Sequence, residues 1–403
     1  MRTSSTRPLI WISLLVTLFN SSPSFAGSLA SALEDTDVAV ALRYRFENVS
    51  RDVAAEDDAR ASTLRTALAV KTGEFRHARF FIEVENVSVL GDDLYVNRGA
   101  GSLDNGVMDR AVVADPALTE INQAYLELAP GDSRLRLGRQ EIVLADARFV
   151  GNVGWRQNHQ SFDGLRLDHE FNDRLSLSYA YLDSVRRIFG DNRDLAGHVA
   201  QVKWAGKPVT ARAYVLSLDW DDASMAGLST STFGAELSGS RELGDWKGLW
   251  ELEWATQSDL GENPNRVDAG YLHAMIGAGR AAINVRAGYE QLDGTEPGGR
   301  FTTPLATLHK FNGWADVFLN TPADGLVDTY LQLNGKRGPI SWLTRYHRFE
   351  AATGSLHYGD ELDAQVAYKT DWAQTVALKV ALYDADQLGA TTDKWMLWTS
   401  YSF

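Results

Sequence analysis

The sequence contains no cysteine, which removes disulfide frameworks and thiolate metal centres from consideration. After residue 26 it also lacks any apolar run near the about 20 residues that a membrane-spanning helix needs. Enzyme signatures are missing as well. His169-Glu170 is followed by Phe171, Asn172 and Asp173, so the two-histidine zinc helix fails. No Gly-x-Ser-x-Gly elbow occurs, and the eight histidines are scattered. Asp219, Asp221 and Asp222 lack the glycine and closing glutamate of a calcium loop and read as a solvated acidic segment. Basic runs of the nucleic-acid-binding kind are absent, and a formal net charge of -14 works against a nucleic acid partner. No catalytic residue, metal or cofactor is expected.

What the chain does have begins with an export signal over residues 1–26. Arg2 and Arg7 precede an apolar core from Leu9 to Phe19, and Ser24, Phe25 and Ala26 form a small-x-small cleavage site. The remaining chain, 27–403, carries 37 basic against 53 acidic residues, a net -16.

Period-2 alternation starts at once. Val38, Val40, Leu42, Tyr44 and Phe46 alternate with Ala39, Ala41, Arg43, Arg45 and Glu47, and similar segments follow at 64–71 and 78–85. They exceed the about 5–6 residues of a typical soluble strand and match the about 9–11 of a tilted transmembrane strand. Short joins fall near Gly73, Pro130 with Gly131, Asn172 with Asp173, 206–208, Gly244, Gly279, 335–338, and Thr370 with Asp371. Longer ones occupy 48–60, 87–119, 141–159, 184–194, 219–227, 257–265, 292–325, 351–356 and 386–392. Eight short turns and nine long loops predict an all-β fold, a transmembrane antiparallel barrel of about eighteen strands. Residues 311–319 look strand-like, but Asn312, Gly313 and Asp316 assign them to the long loop. By the usual asymmetry of such barrels the loops 87–119, 141–159 and 292–325 face outside the cell. The last strand carries Trp395, Leu397, Tyr401 and terminal Phe403 on one parity. It resembles the assembly signal of bacterial outer-membrane proteins, which implies the barrel assembly machinery and outer-membrane lipid as partners.

If the apolar parity faces lipid, the other faces a lumen. There lie Arg43, Arg45, Arg65, Arg79, Arg134, Arg136, Arg166, Arg212, Arg286 and Arg345, with Glu127 and Asp168 among a minority of acids. Guanidinium groups in a narrow pore favour anions and pair with carboxylates bidentately. Two readings of this wall stay open: an anion-preferring conduit, or cross-strand Arg–Glu ladders that keep the barrel hydrated.

One stretch is more specific. Gly138-Arg139-Gln140 and Gly154-Trp155-Arg156-Gln157-Asn158, followed by Phe162-Asp163-Gly164, resemble the alginate-export family of outer-membrane porins. A second matching block runs from Thr303 to Asp316 and resumes at Gly325 to Asp328. The resemblance implies an eighteen-stranded barrel in the bacterial outer membrane that passes a polyuronate. It proposes Arg139, Arg148, Arg156 and Arg166 as pore or constriction residues, Gln157, Asn158, His309 and Lys310 as polar neighbours, and Trp155 and Trp314 as loop anchors. The resulting expectation is a passive channel for anionic saccharides, alginate or related uronates. A porin for other solutes, a barrel hydrolase and a soluble lectin-like domain are the rivals.

Overall fold

The computed structural model describes residues 28–295 and 299–403; the signal expected over 1–26 lies outside them. Eighteen strands form one antiparallel sheet. In chain order they are β1 (Asp37–Arg51), β2 (Ala59–Lys71), β3 (Ala78–Val89), β4 (Leu118–Leu128), β5 (Ser133–Gln140), β6 (Ser161–Glu170), β7 (Leu175–Arg186), β8 (Asn192–Ala205) and β9 (Val209–Trp220). The second half holds β10 (Thr230–Leu243), β11 (Trp246–Asp259), β12 (Asp268–Arg280), β13 (Ile283–Leu292), β14 (Leu326–Arg337), β15 (Ile340–Glu350), β16 (His357–Lys369), β17 (Thr375–Ala385) and β18 (Thr392–Ser402).

Each strand pairs with its chain neighbours, and β18 pairs with β1 from Ala41↔Ser402 to Arg51↔Thr392. Closure leaves no sheet edge to satisfy, the condition for a sheet to cross a bilayer. All even-to-odd connections are short and sit at one end, here the turn end; the long ones gather at the other, the loop end. Residues 311–319 form no strand.

Alternation sets the two faces. Leu68, Phe80, Leu126, Val215, Leu252, Ile276, Leu331, Leu362 and Leu397 all point outward and are exposed. A continuous apolar belt of this extent requires an apolar solvent. Trp204, Trp246, Trp372 and Phe403 are exposed around the turn end, where half-wet aromatic rings suit a membrane interface.

A six-residue helix, Leu29–Glu34, is tied to the β2–β3 turn by Gly73 N donating to Ala32 O at 2.9 Å. A Cβ on Gly73 would stand 2.7 Å from Asp35 Cβ, so the contact requires glycine. β5 is the shortest barrel strand, and it pairs with β4 over only five residues. Where it stops, the chain turns into the barrel.

Candidate functional site: an occluded, charge-lined lumen

Both family-like blocks lie inside the barrel and against each other. Gly151 N donates to Leu305 O at 2.8 Å and Thr307 N to Ala147 O at 3.0 Å, and Gln160 Nε2 donates to the carbonyls of Gly151 and Leu305. Segments 141–160 and 301–321 thus form a two-part plug, with Ile142, Val150, Phe301, Leu305 and Phe318 buried. Polar residues anchor it to strands all round the wall. From β1, Arg43 donates to Gln157 Oε1 and the Gly154 carbonyl, both at 2.8 Å, and to Arg156 O. Arg45 contacts Trp155 O and Asp115, a buried aspartate at the end of the 90–117 loop. Gln157 reaches Thr63 on β2, and His159 N donates to Glu85 on β3.

Arg156 bridges Glu47 at 3.3 Å and Asp316 at 2.9 Å, and Asp316 also holds Lys394 of β18 at 2.7 Å. Burial, which alone would lower the pKa of Arg156, is outweighed by Glu47 and Asp316, so the guanidinium stays charged. Asp316 is held well below the carboxylate range, its burial outweighed by the hydrogen bond from His309 and by the charges of Lys394 and Arg156. At Glu141 burial is outweighed by hydrogen bonds from His159, Asn152 and Asn122, and its pKa falls to about 2.

His309 is central to the packing. Its Nδ1 lies 2.7 Å from Asp316, its Nε2 2.7 Å from Lys379 Nζ, and its ring stacks on Trp155 at 4.5 Å. An ammonium donating to Nε2 requires that nitrogen to be a lone pair, so His309 is neutral with its proton on Nδ1. Although the His309–Asp316 distance fits an ion pair, the geometry on Nε2 decides against one, and burial likewise drives the pKa well below 6.5. The Lys379 ammonium sits between Trp155 and Trp314, 4.2 and 3.6 Å from the ring centres, where two ring faces offset part of its desolvation. Gly313, at φ +85°, lets the next two amides, Trp314 and Ala315, donate to Glu361 of β16.

Arg148 forms the other anchor. It is 2% exposed and donates to Glu290 of β13 at 2.6 Å, to Thr303 at 3.3 Å and to Asn312 at 3.2 Å. Asn312 Nδ2 donates in turn to the second Glu290 oxygen at 2.6 Å. This Arg148–Glu290–Asn312 cluster separates two cavities. A cavity of about 290 Å³ opens on the loop side and includes Arg148 and Asn312. Another of about 220 Å³ lies deeper, beneath Phe311 and Asn312, and includes Glu290.

Among the expected lumen arginines, ten have a carboxylate within 4.0 Å. Arg45, Arg65, Arg79, Arg134, Arg136, Arg139, Arg148, Arg156, Arg166 and Arg212 meet Asp115, Glu85, Glu74, Glu127, Glu127, Asp163, Glu290, Asp316, Asp168 and Glu236 respectively. Glu127 and Asp168 are therefore partners of arginines on the wall. Arg139 has the parity of Leu135 and Leu137, outward, and lies at the upper end of β5 with Asp163 and Ser184. That orientation takes it away from the pore role expected of it, because the lumen parity of β5 runs through Arg134 and Arg136. Lys310 lies half exposed beside Asp146, facing the deeper cavity.

Of the remaining three, Arg43 is taken up by Gln157 Oε1 and the carbonyls of Gly154 and Arg156, which leaves Arg286 and Arg345. Among the described residues neither has a carboxylate within ion-pair distance. They flank Gln332 in direct cross-strand register, Arg286↔Gln332↔Arg345, and Arg345 Nε donates to Gln332 Oε1 at 2.9 Å. Both line the deeper cavity with Tyr330, His273, Glu251 and Glu253. Tyr330 lies over Gly288, where a Cβ would be 2.1 Å from its ring. Parity placed these arginines on the lumen wall; the acids that neutralise the others could not be matched to them without the register.

The fold and the sequence match known proteins in different ways. The barrel superposes on OccK9 (OpdG) of Pseudomonas aeruginosa with a TM-score of 0.72 at 16% identity, covering 93% of this chain and 99% of that one. OccAB2 of Acinetobacter baumannii gives 0.72 at 15%, with the same coverage. OpdK of Pseudomonas aeruginosa, solved with vanillate, gives 0.71 at 16%, covering 92% and 99%. At these identities the likeness is one of fold. No curated protein sequence matches the chain. The alginate export family model matches residues 35–296, which include thirteen complete strands, β1–β13, and the β5–β6 half of the plug. With its closed eighteen-stranded barrel and apolar outer belt, the chain is a member of the alginate-export family and an outer-membrane channel.

Proposed function

We propose that the channel passes anionic saccharides, alginate-derived or related uronates, and that the Arg286–Gln332–Arg345 row receives the sugar carboxylate. The observation that carries this is that, among the described residues, two guanidiniums on strands either side of β14 have no carboxylate within 4.0 Å and are not taken up by the plug. A uronate offers one carboxylate and several hydroxyls. The two arginines suit the former, while Glu251, Glu253 and Tyr330 in the same cavity accept or exchange hydrogen bonds with the latter. A lumen partitioned by buried ion pairs favours short oligomers over a continuous polymer strand.

In this reading the chain is exported by its N-terminal signal, Phe403 engages the barrel assembly machinery, and the loop end of the barrel faces the outside. The test is block of single-channel current by uronate oligomers. Wild type is expected to show concentration-dependent interruptions, weakened at least tenfold in Arg286→Gln/Arg345→Gln. Equal block in both would remove the pair from the pathway, and stronger block by the neutral sugar would remove the anionic substrate class.

A further inference from the structure

We infer that the loop-end cavity is a separate binding site for compact carboxylates that carry an apolar face. Its lining differs in kind from that of the deeper cavity. Arg148, Arg187 and Arg300 line it, and among the described residues no aspartate or glutamate does. The deeper cavity, by contrast, includes Asp146, Glu251, Glu253, Glu290 and Asp328. Across from the arginines, Trp220, Leu228 and Phe318 supply an apolar wall, and Trp220 Nε1 is already engaged by Leu228 O at 3.2 Å. Little on that wall would reward a ring covered with hydroxyls.

The three arginines divide the work. Arg148 is saturated by Glu290, Thr303 and Asn312 and contributes a fixed positive field from the floor. Arg187 is held bidentately by Asp191 at 2.7 and 3.1 Å. Arg300 is exposed, donates from one NH to Thr321 O at 2.7 Å, and has no carboxylate within 4.0 Å among the described residues. It is the group with donors to spare for a carboxylate, in a bidentate geometry that guanidinium favours. The strand residues around it, Val185, Trp220, Leu292 and Leu326, each stand at the loop end of their strand, so a solute arriving from that side meets this cavity before the partition.

The site goes beyond the uronate reading and does not depend on it, because Arg286 and Arg345 lie on the other side of the Arg148–Glu290 partition. Titration calorimetry on the refolded full chain in detergent tests it, with empty micelles as the blank. The probes are cyclohexanecarboxylate, its neutral counterpart cyclohexylmethanol, and glucuronate. Cyclohexanecarboxylate is expected to bind saturably at one site and at least tenfold more tightly than either other probe. Arg300→Gln should weaken it at least tenfold, and Leu228→Trp, which fills the apolar side and leaves the charges, should abolish it. Heat-modifiable migration in both variants would show that the barrel is intact. Equal affinity for cyclohexylmethanol, glucuronate binding as tight as cyclohexanecarboxylate, or indifference to both substitutions would overturn the assignment. Uronate block that persists in Arg300→Gln would leave the deeper pathway standing whichever way this site falls.

Discussion

At the scale of single residues, the lumen wall is governed by pairing more than by the number of its arginines. A buried guanidinium with one carboxylate is strongly attached to it, and removing one partner of such a pair costs about 3–5 kcal/mol because the other charge is left unsolvated. Glu290→Gln is therefore expected to loosen the plug by about that amount, read as a raised mean conductance and frequent large openings. Arg148→Met/Glu290→Met should lie much closer to wild type, since no orphan charge remains. A double variant as leaky as the single one would contradict the ion-pair account. His309 gives a pH dependence whose sign follows from its neutral state. Its pKa in the packed plug lies well below 6.5, through burial first, with Asp316 opposing and Lys379 and Arg156 reinforcing. Below 6.5 a released loop binds a proton that the packed loop refuses, so packing is fully favoured above that value and weakens as pH falls beneath it. Conductance should rise between pH 7 and 5, and His309→Gln should flatten that rise. An unchanged pH profile in the variant would place the titration elsewhere.

At the scale of elements, alternation made the barrel legible. Strand faces repeat every two residues and turns are rich in glycine and asparagine, so Val38 to Phe46 and the joins at Gly73 or Asn172 could be read without neighbours. The direction taken by the loops could not. The inward course of 141–160 depends on β5 stopping at Gln140, and on Gln157 meeting Thr63, 94 positions away; neither contact leaves a local pattern. The same holds for Arg139, whose partner Asp163 lies 24 positions away. Because the plug hangs on side-chain contacts to a wall that closes through its own ladder, it should be separable from it. Replacing residues 142–159 with a short glycine–serine turn is expected to leave heat-modifiable migration intact and raise conductance severalfold. Loss of the folded band would show instead that the plug is needed for closure.

At the scale of the whole molecule, the charge is distributed unevenly round the lumen. Arg43, Arg45, Arg65, Arg136, Arg166 and Arg212 lie on β1–β9 with Glu47, Glu85, Glu127 and Asp168 among them, while Glu236, Glu251, Glu253, Glu290, Asp328, Glu361 and Asp363 lie on β10–β16. Net charge, -14 for the chain, is thus a poor guide to the solute, because most of these groups neutralise one another locally. Preference is left to the few that do not, and Arg286 and Arg345 are the basic pair set within the acidic half. We propose that these two guanidiniums make the pathway favour anions. Reversal potential across a planar bilayer under a salt gradient measures it most directly. Wild type should give an anion-selective potential that shrinks when uronate oligomers are added, and Arg286→Gln/Arg345→Gln should lose both the selectivity and the response. A cation-selective wild type, or a double variant with the same potential, would contradict it.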